Sequence, residues 1–217
     1  MRYKLHQRIK TARVRKLFVA ALAMGCALGT VARGNAQTIA SSIPPPEGNV
    51  AFLVGHALGT QGYVCLPSGG GASWTVNNPR PEATLFQTVF GLQVQIITHF
   101  LSPNTNPTVP PETLPFANAT WQSSLDSSKV WAQAIKAIPA GSEPSCPNAD
   151  SISCLLLQAN GSLQGPTGGK SLSKTTFIQR LNTKGGLAPA DGCLVSTDVG
   201  KQTLVPYSAD YVFFHKN

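Results

Sequence analysis

The chain has 217 residues, enough for one domain with a proper hydrophobic core, and a formal net charge of +8. The charge is unevenly distributed: residues 1–36 hold eight of the seventeen basic residues and no acidic one, which leaves nine basic against nine acidic residues over 37–217. That larger part is formally neutral and has no basic patch, which excludes the usual electrostatic footprint of a nucleic-acid-binding protein.

Residues 1–36 are typical of a secretory signal peptide. A basic segment precedes the apolar run from Leu17 to Ala32, and small residues around "GNAQ" offer a cleavage point after Ala36. A retained membrane anchor is one alternative, but the apolar run is shorter than the roughly 20 residues that span a bilayer. Cys26 lies within the run, so a lipoprotein is a second alternative. We expect a secreted or periplasmic protein whose mature chain has no transmembrane segment.

The rest of the chain has the pattern of a β protein. Residues 37–49 are polar and Pro-rich, which predicts a linker or an extended arm. Short apolar or alternating runs then follow, separated by Gly, Pro, Asn and Ser. They predict strands at 50–58, 60–66, 72–76, 92–100, 129–138, 152–159, 174–182 and 204–215. The run 129–138 also fits a helix, but we favour a strand. The predicted fold of residues 50–217 is a single mainly β domain, a sandwich or barrel with Gly/Pro-rich loops.

Besides Cys26 there are four cysteines, an even number that favours two disulfides in an exported chain. Three pairings are open. Cys146 and Cys154 close a short loop easily, which leaves Cys65 with Cys193. The chain has no CxxC, HExxH or His-x-His spacing, so neither the cysteines nor the histidines predict a metal site or a cofactor.

Few residues are candidates for a catalytic or binding role. His99, Asp126 and Ser128 have the residue types of a nucleophilic triad, but no G-x-S-x-G elbow surrounds Ser128. Trp121 and Trp131 flank Asp126, which favours a sugar-stacking platform over an acid–base pair. The candidate binding residues are therefore His99, Trp121, Asp126 and Trp131, and we expect Trp74, Trp121 and Trp131 to be exposed.

Two of the strongest strand patterns each contain a charged residue. Arg180 and Asp210 interrupt the alternating runs "FIQRLNT" and "YSADYVFF". If these strands are neighbours, the two side chains form a partly buried ion pair. We expect this pair to brace the fold rather than to form a site.

Several segments resemble the secreted bacterial and fungal family known as domain of unknown function 3455. The most specific is "FIQRLNTKGGLAPADGC" (177–193), and the others include "GTQGYVC", "PEATLF", "TWQSSLDSSKV", "ISCLLLQA" and "VPYSADYVFF". The resemblance implies a secreted single-domain protein and leaves its activity open. This chain differs in a Pro-rich insertion from Leu101 to Ala119, and in "DSS" at 126–128 where members usually have "DGS". The Cys146–Cys154 pair also looks like a local addition.

Two functions remain open on these residues. The first is an exported, non-catalytic binding or surface-interaction domain whose partner is carbohydrate or cell-envelope material. The second is a secreted hydrolase with a site near His99, Trp121 and Asp126.

Overall fold

The computed structural model describes residues 40–102 and 118–217, and only the backbone of residues 77–81 and 118. The predicted signal peptide, Cys26 and most of the Pro-rich insertion lie outside the described residues.

The described chain forms eight antiparallel strands. They are β1 (Asn49–Ser68), β2 (Gly71–Val89), β3 (Leu92–Ser102), β4 (Asn118–Ser123), β5 (Lys129–Ile138), β6 (Cys154–Leu163), β7 (Thr175–Gly185) and β8 (Gln202–Lys216). Each strand pairs with the next, and β1 also pairs with β8, so the sheet closes into a barrel. The mainly β prediction is confirmed, and the closure selects a barrel over a sandwich. No described segment is a helix long and apolar enough to cross a membrane.

Strand boundaries differ from the predictions where glycine and proline were taken as turns. The predicted strands 50–58 and 60–66 are one strand, β1, which runs through Gly59. A Cβ on Gly59 would lie 2.0 Å from the Glu82 carbonyl oxygen, so glycine allows β2 to approach closely there. Most of β2 and all of β4 were not predicted. The strand predicted at 129–138 is β5, with the same bounds.

Tight hairpins order the first three strands. Gly69 and Gly70 connect β1 to β2, and Phe90 and Gly91 connect β2 to β3; all four residues have positive φ. Two-residue turns of this kind match the right-handed twist of paired strands, so they place consecutive strands side by side.

The barrel interior holds the larger hydrophobic core. On β8, alternate residues point inwards, and their large side chains meet those of the opposite strands. The interior aromatic and aliphatic side chains include Leu85, Ile97, Trp121, Val130, Leu157, Leu172, Ile178, Tyr207, Tyr211 and Phe213.

A second apolar layer covers the outer face of β6, β7 and β8. It contains Leu156, Phe177, Leu181, Val212 and Phe214, together with both cysteines of the Cys146–Cys154 pair. The arm formed by residues 40–48 lies against this layer. Its Ile43 side chain is buried there, and the Ile43 carbonyl accepts a hydrogen bond of 2.7 Å from Gln179 Nε2.

Both disulfides form with the predicted pairing. Cys65–Cys193 joins β1 to the β7–β8 connection across 128 residues of sequence, and Cys146–Cys154 closes a short loop before β6. Trp74 Nε1 donates to the Asp191 carbonyl at 2.7 Å beside the first disulfide. Disulfides of this kind are typical of an extracellular or otherwise oxidising compartment.

Candidate functional site

His99 and Trp121 lie together in the barrel interior. The two residues are register partners on β3 and β4, and their rings stack with centroids 4.1 Å apart. Tyr211 of β8 reaches across the barrel to within 5.9 Å of Trp121, measured between ring centroids. The Pro-rich insertion between β3 and β4 therefore does not separate His99 from Trp121.

His99 is held as a neutral imidazole. Its Nδ1 donates to the Thr120 carbonyl oxygen at 2.9 Å, which assigns the ring proton to Nδ1. Burial lowers the pKa of His99 to about 4; the hydrogen bond to Thr120 opposes this shift, and the positive charge of Arg180 adds to it. A histidine that is 3% exposed and uncharged at neutral pH is typical of a core residue.

Asp126 holds the loop between β6 and β7 against one end of the barrel by hydrogen bonds. Its Oδ1 accepts hydrogen bonds from the backbone N and Oγ of Ser128, and its Oδ2 accepts one from the Ser171 backbone N at 2.9 Å. Ser128 Oγ in turn accepts from the Leu172 backbone N at 3.0 Å, and the Leu172 side chain is fully buried in the core. Asp126 therefore positions Leu172 as a plug at this end of the barrel.

Replacing Asp126 with Asn is expected to destabilise the protein by about 1–2 kcal/mol, because backbone donors lose a charged acceptor. The loss is no larger because the carboxylate is only partly buried and solvent screens it. Partial burial raises the pKa of Asp126, but the hydrogen bonds from Ser171 and Ser128 outweigh it and hold that pKa below its usual range. The stabilisation is therefore complete above the unfolded pKa of about 4 and is lost as pH falls below it. Urea denaturation at pH 7 and pH 3 measures both effects.

Two variants control this measurement. Asp150→Asn changes an exposed carboxyl and should leave stability unaltered. Ser127→Gly changes the same turn but should raise the stability of the protein rather than lower it. Ser127 has a φ of 60°, a conformation that glycine adopts without strain, so glycine should stabilise by about 0.5–1 kcal/mol. Equal stability of Asp126→Asn and the parent at pH 7 would contradict the plug role.

The expected exposure of the tryptophans is wrong for two of the three. Trp121 and Trp131 are 1% and 2% exposed, while Trp74 is half-buried. Sequence alternation did not show that Trp121 of β4 would face the barrel interior or that Trp131 of β5 would be covered. A stacking platform for sugars needs an accessible ring, which neither buried tryptophan presents.

Arg180 and Asp210 do not form the expected ion pair. They lie on the neighbouring strands β7 and β8, but Arg180 is the register partner of Tyr211 and Asp210 is that of Leu181. Successive residues of a strand point to opposite faces, so Arg180 faces the interior and Asp210 the exterior. Arg180 Nη2 instead donates to the Ser153 carbonyl at 2.8 Å.

Asp210 pairs with His56 on the outer face of the barrel. The two are register partners on β8 and β1, and His56 Nδ1 lies 2.5 Å from Asp210 Oδ1. A carboxylate only accepts, so Nδ1 donates and Nε2 becomes the ring nitrogen available to a ligand. The His56 side chain is 63% exposed.

A β-bulge in β7 adds a third residue to this pair. The β7–β8 register shifts between Leu181 and Lys184, and Asn182 within the shift has a φ of 50°. The bulge places Asn182 Nδ2 at 2.7 Å from Asp210 Oδ2, so both carboxylate oxygens are bound. Bulges and positive φ at a non-glycine residue are concentrated at functional sites, where they redirect a side chain. This bulge lies in the segment "FIQRLNTKGG".

The His56–Asp210 pair lies in a groove of about 550 Å³, which we call the β1–β8 groove. Its polar side chains come from three strands and the loop before β6, and they are His56, Asn148, Asn182, Lys184, Ser208 and Asp210. Asn148 is fixed by a hydrogen bond from its Nδ2 to the Thr183 carbonyl at 2.8 Å, which leaves its amide oxygen as an acceptor. The groove therefore presents a cation, an imidazole, amides and a hydroxyl on one face.

None of the candidate binding residues predicted from the sequence lines this groove. The signals that mark it are the charge of Asp210 in an apolar strand and the histidine within β1, but nothing local shows that the two strands pair. Within the described ranges, no three His, Cys, Asp or Glu side chains come close enough together to hold a metal ion.

Comparison with known proteins gives a family but no activity. The family model described as "Protein of unknown function (DUF3455)" matches residues 45–215. The chain belongs to this family. No curated protein and no solved structure matches the chain significantly. The match spans all eight strands, so the barrel and the β1–β8 groove both lie within the DUF3455 domain.

Proposed function

We propose that this DUF3455 protein is an exported, non-catalytic binding domain that holds carbohydrate or related polyhydroxylated cell-envelope material in the β1–β8 groove. The observation that carries the proposal is the grouping of fixed polar side chains around the exposed His56–Asp210 pair. Hydroxyl-rich ligands both donate and accept hydrogen bonds, and sites for them present a few positioned polar groups.

The chemistry of the groove fits such a ligand. Lys184 donates hydrogen bonds at the surface, and the Nε2 atom of His56 can donate or accept one. Asn148 and Ser208 add groups that both donate and accept. Leu58, which is 63% exposed, adds an apolar contact suited to the CH face of a sugar ring. Asp210 is already bound by two side chains, so it orients His56 and Asn182.

Export is part of the same proposal. The basic and apolar segments of residues 1–36 are those of a signal peptide cleaved after Ala36, and the two disulfides agree with passage into an oxidising compartment. A mass measurement of the exported protein determines the cleavage point and whether Cys26 is retained and lipidated.

An array of glycans and cell-wall fragments, probed with the disulfide-formed protein, tests the binding function. We expect at least one polyhydroxylated ligand to bind, and His56→Ala and Asp210→Asn each to weaken that binding by about tenfold or more. Asp210→Asn removes the carboxylate that orients the imidazole, and His56→Ala removes the imidazole itself. Titration calorimetry with the ligand from the array gives the affinities.

Lys136→Ala is the matched control, because Lys136 is an exposed lysine on β5 outside the groove. Its affinity should equal that of the parent protein. Binding that survives both groove variants, or an array with no ligand at all, would refute the β1–β8 groove as the binding site.

A secreted hydrolase is the second candidate. Around His99, Trp121 and Asp126, the burial of the histidine and the commitment of Asp126 to Ser128 and Ser171 count against it. The observation that favours a hydrolase is instead the His56–Asp210 pair, because a carboxylate that orients an exposed imidazole is the base half of a nucleophilic site. Release of cleaved product from a fragment on the array, lost in Asp210→Asn, would favour this function over binding.

A further inference from the structure

The barrel interior contains a polar cluster that the β1–β8 groove does not use. We call it the interior donor cluster, and it consists of Trp121, Arg180, Tyr207 and Tyr211. Arg180 and Tyr211 are register partners on the inner face of β7 and β8. The Tyr211 hydroxyl lies 3.1 Å from that of Tyr207, and the Tyr211 ring packs against Trp121. The four side chains therefore form one connected group.

Arg180 brings a positive charge into this cluster without a carboxylate beside it. Over the described residues, the ion pairs are His56–Asp210 and Lys201–Asp198, and neither includes Arg180. This charge acts on Tyr207 inside the barrel. Burial and neighbouring Tyr211 raise the pKa of Tyr207, and the positive charge of Arg180 opposes that rise. Removing a cation from water costs free energy unless an anion or several acceptors compensate it.

The cluster also has more donors than acceptors. Trp121 Nε1 and Arg180 Nε are buried and have no hydrogen-bond partner among the residues that the structure describes. In the Tyr207–Tyr211 pair, one hydroxyl hydrogen makes the bond between them, and the other is left to donate elsewhere. Buried donors are nearly always matched, so this surplus calls for an acceptor-rich partner.

Small side chains line the wall beside the cluster. Ala57 of β1 is the register partner of Ala209, which lies between Tyr207 and Tyr211 on the inner face of β8. Ala83 of β2 also belongs to the interior core. An eight-stranded barrel is just wide enough to be filled by side chains or to hold one small ligand. Ala57, Ala83 and Ala209 leave this part of the wall without large side chains. Arg180 is only partly buried.

We propose that the barrel interior binds a small organic acid with a flat apolar body. Its carboxylate pairs with Arg180 and accepts hydrogen bonds from Trp121 Nε1 and the tyrosine pair, while its apolar body lies against the aromatic rings of the interior core. A carboxylate matches the planar guanidinium geometrically and supplies the missing acceptors. This site is separate from the β1–β8 groove and does not depend on the function of that groove.

Benzoate is the test probe, and the indole N–H resonances of the purified, disulfide-formed protein give the readout. The chain has three tryptophans, each of which contributes one such resonance. We expect benzoate to shift the Trp121 resonance downfield and saturably as its N–H gains an acceptor. Trp131 Nε1 is also buried without a partner, but Trp131 belongs to neither core cluster, so its resonance should stay in place. Trp74 already donates to Asp191 and is a second internal reference.

Variants and analogues assign the interaction. Arg180→Gln should weaken benzoate binding by about tenfold or more. Uncharged benzamide should bind the parent protein as weakly as benzoate binds this variant. Tyr207→Phe keeps the ring and should weaken binding severalfold, which provides a test if Arg180→Gln does not fold. His56→Ala should leave benzoate binding unchanged. The proposal is overturned if millimolar benzoate and phenylpropionate leave the Trp121 resonance in place, or if inorganic phosphate shifts it and benzoate does not.

Discussion

Replacing both Cys65 and Cys193 with alanine is expected to lower the free energy of unfolding by about 5 kcal/mol, as the chain-entropy model gives for a loop of this length. The two residues are separated by 128 positions, so the disulfide removes many conformations from the unfolded chain. It also ties β1 to the β7–β8 connection, where Lys201 and Gly200 hydrogen-bond to the Cys65 backbone. Urea denaturation of the oxidised parent and the double variant measures the difference.

The Cys146→Ala/Cys154→Ala variant is the matched control. Its loop spans a separation of 8 residues, for which the same model gives about 2.5 kcal/mol, so it should lie between the parent and the first variant. An unchanged unfolding midpoint for the Cys65/Cys193 variant would show that this disulfide does not stabilise the barrel.

Acidification from pH 6.5 to pH 4 is expected to cost about 3 kcal/mol of stability through His99 alone. The pKa of His99 is about 4 in the folded protein against about 6.5 in an unfolded chain, so the unfolded state binds the proton first. Stability from this residue is complete above pH 6.5 and is lost progressively as pH falls towards 4. Urea denaturation at several pH values over this range measures the slope.

His99→Phe separates this effect from general acid denaturation. Phenylalanine preserves an aromatic ring against Trp121 but cannot be protonated, so stability should depend less on pH between 6.5 and 4, whatever its absolute value. His215→Gln is the control, because His215 lies outside the buried core and its replacement should preserve the slope. The same slope in His99→Phe and the parent would rule out His99 as the titrating group.

Local patterns predicted much of the fold, and their failures have physical causes. Alternation identified β7 and β8 because their residues alternate between the barrel interior and the outer face, which gives a period of two. β3 and β5 were also predicted as strands, although the burial of their residues does not alternate strictly. β1 appeared as two strands because Gly59 looks like a turn in sequence, whereas in the barrel it allows close contact with β2. The disulfide pairing followed from spacing, since one pair was close and the other was what remained.

The candidate site was less predictable, because side-chain direction and burial are properties of the whole sheet. His99 and Trp121 do come together, but as a buried stack rather than as an accessible surface. Asp126 contacts a loop that begins far along the chain and holds the Leu172 plug. No local pattern around Asp126 indicates that Ser171 will lie against it.

The sequence by itself determined the β class, the two disulfides, the family and the neutral charge of the part beyond residue 36. The family follows from the matching segments, and the other three follow from composition, period and spacing. Only the tertiary structure decided that β1 and β8 pair, and with that pairing that Asp210 meets His56 while Arg180 turns inwards. The physical reason is register: a shift of one residue between paired strands moves every side chain to the opposite face, and closure of the barrel selects the register.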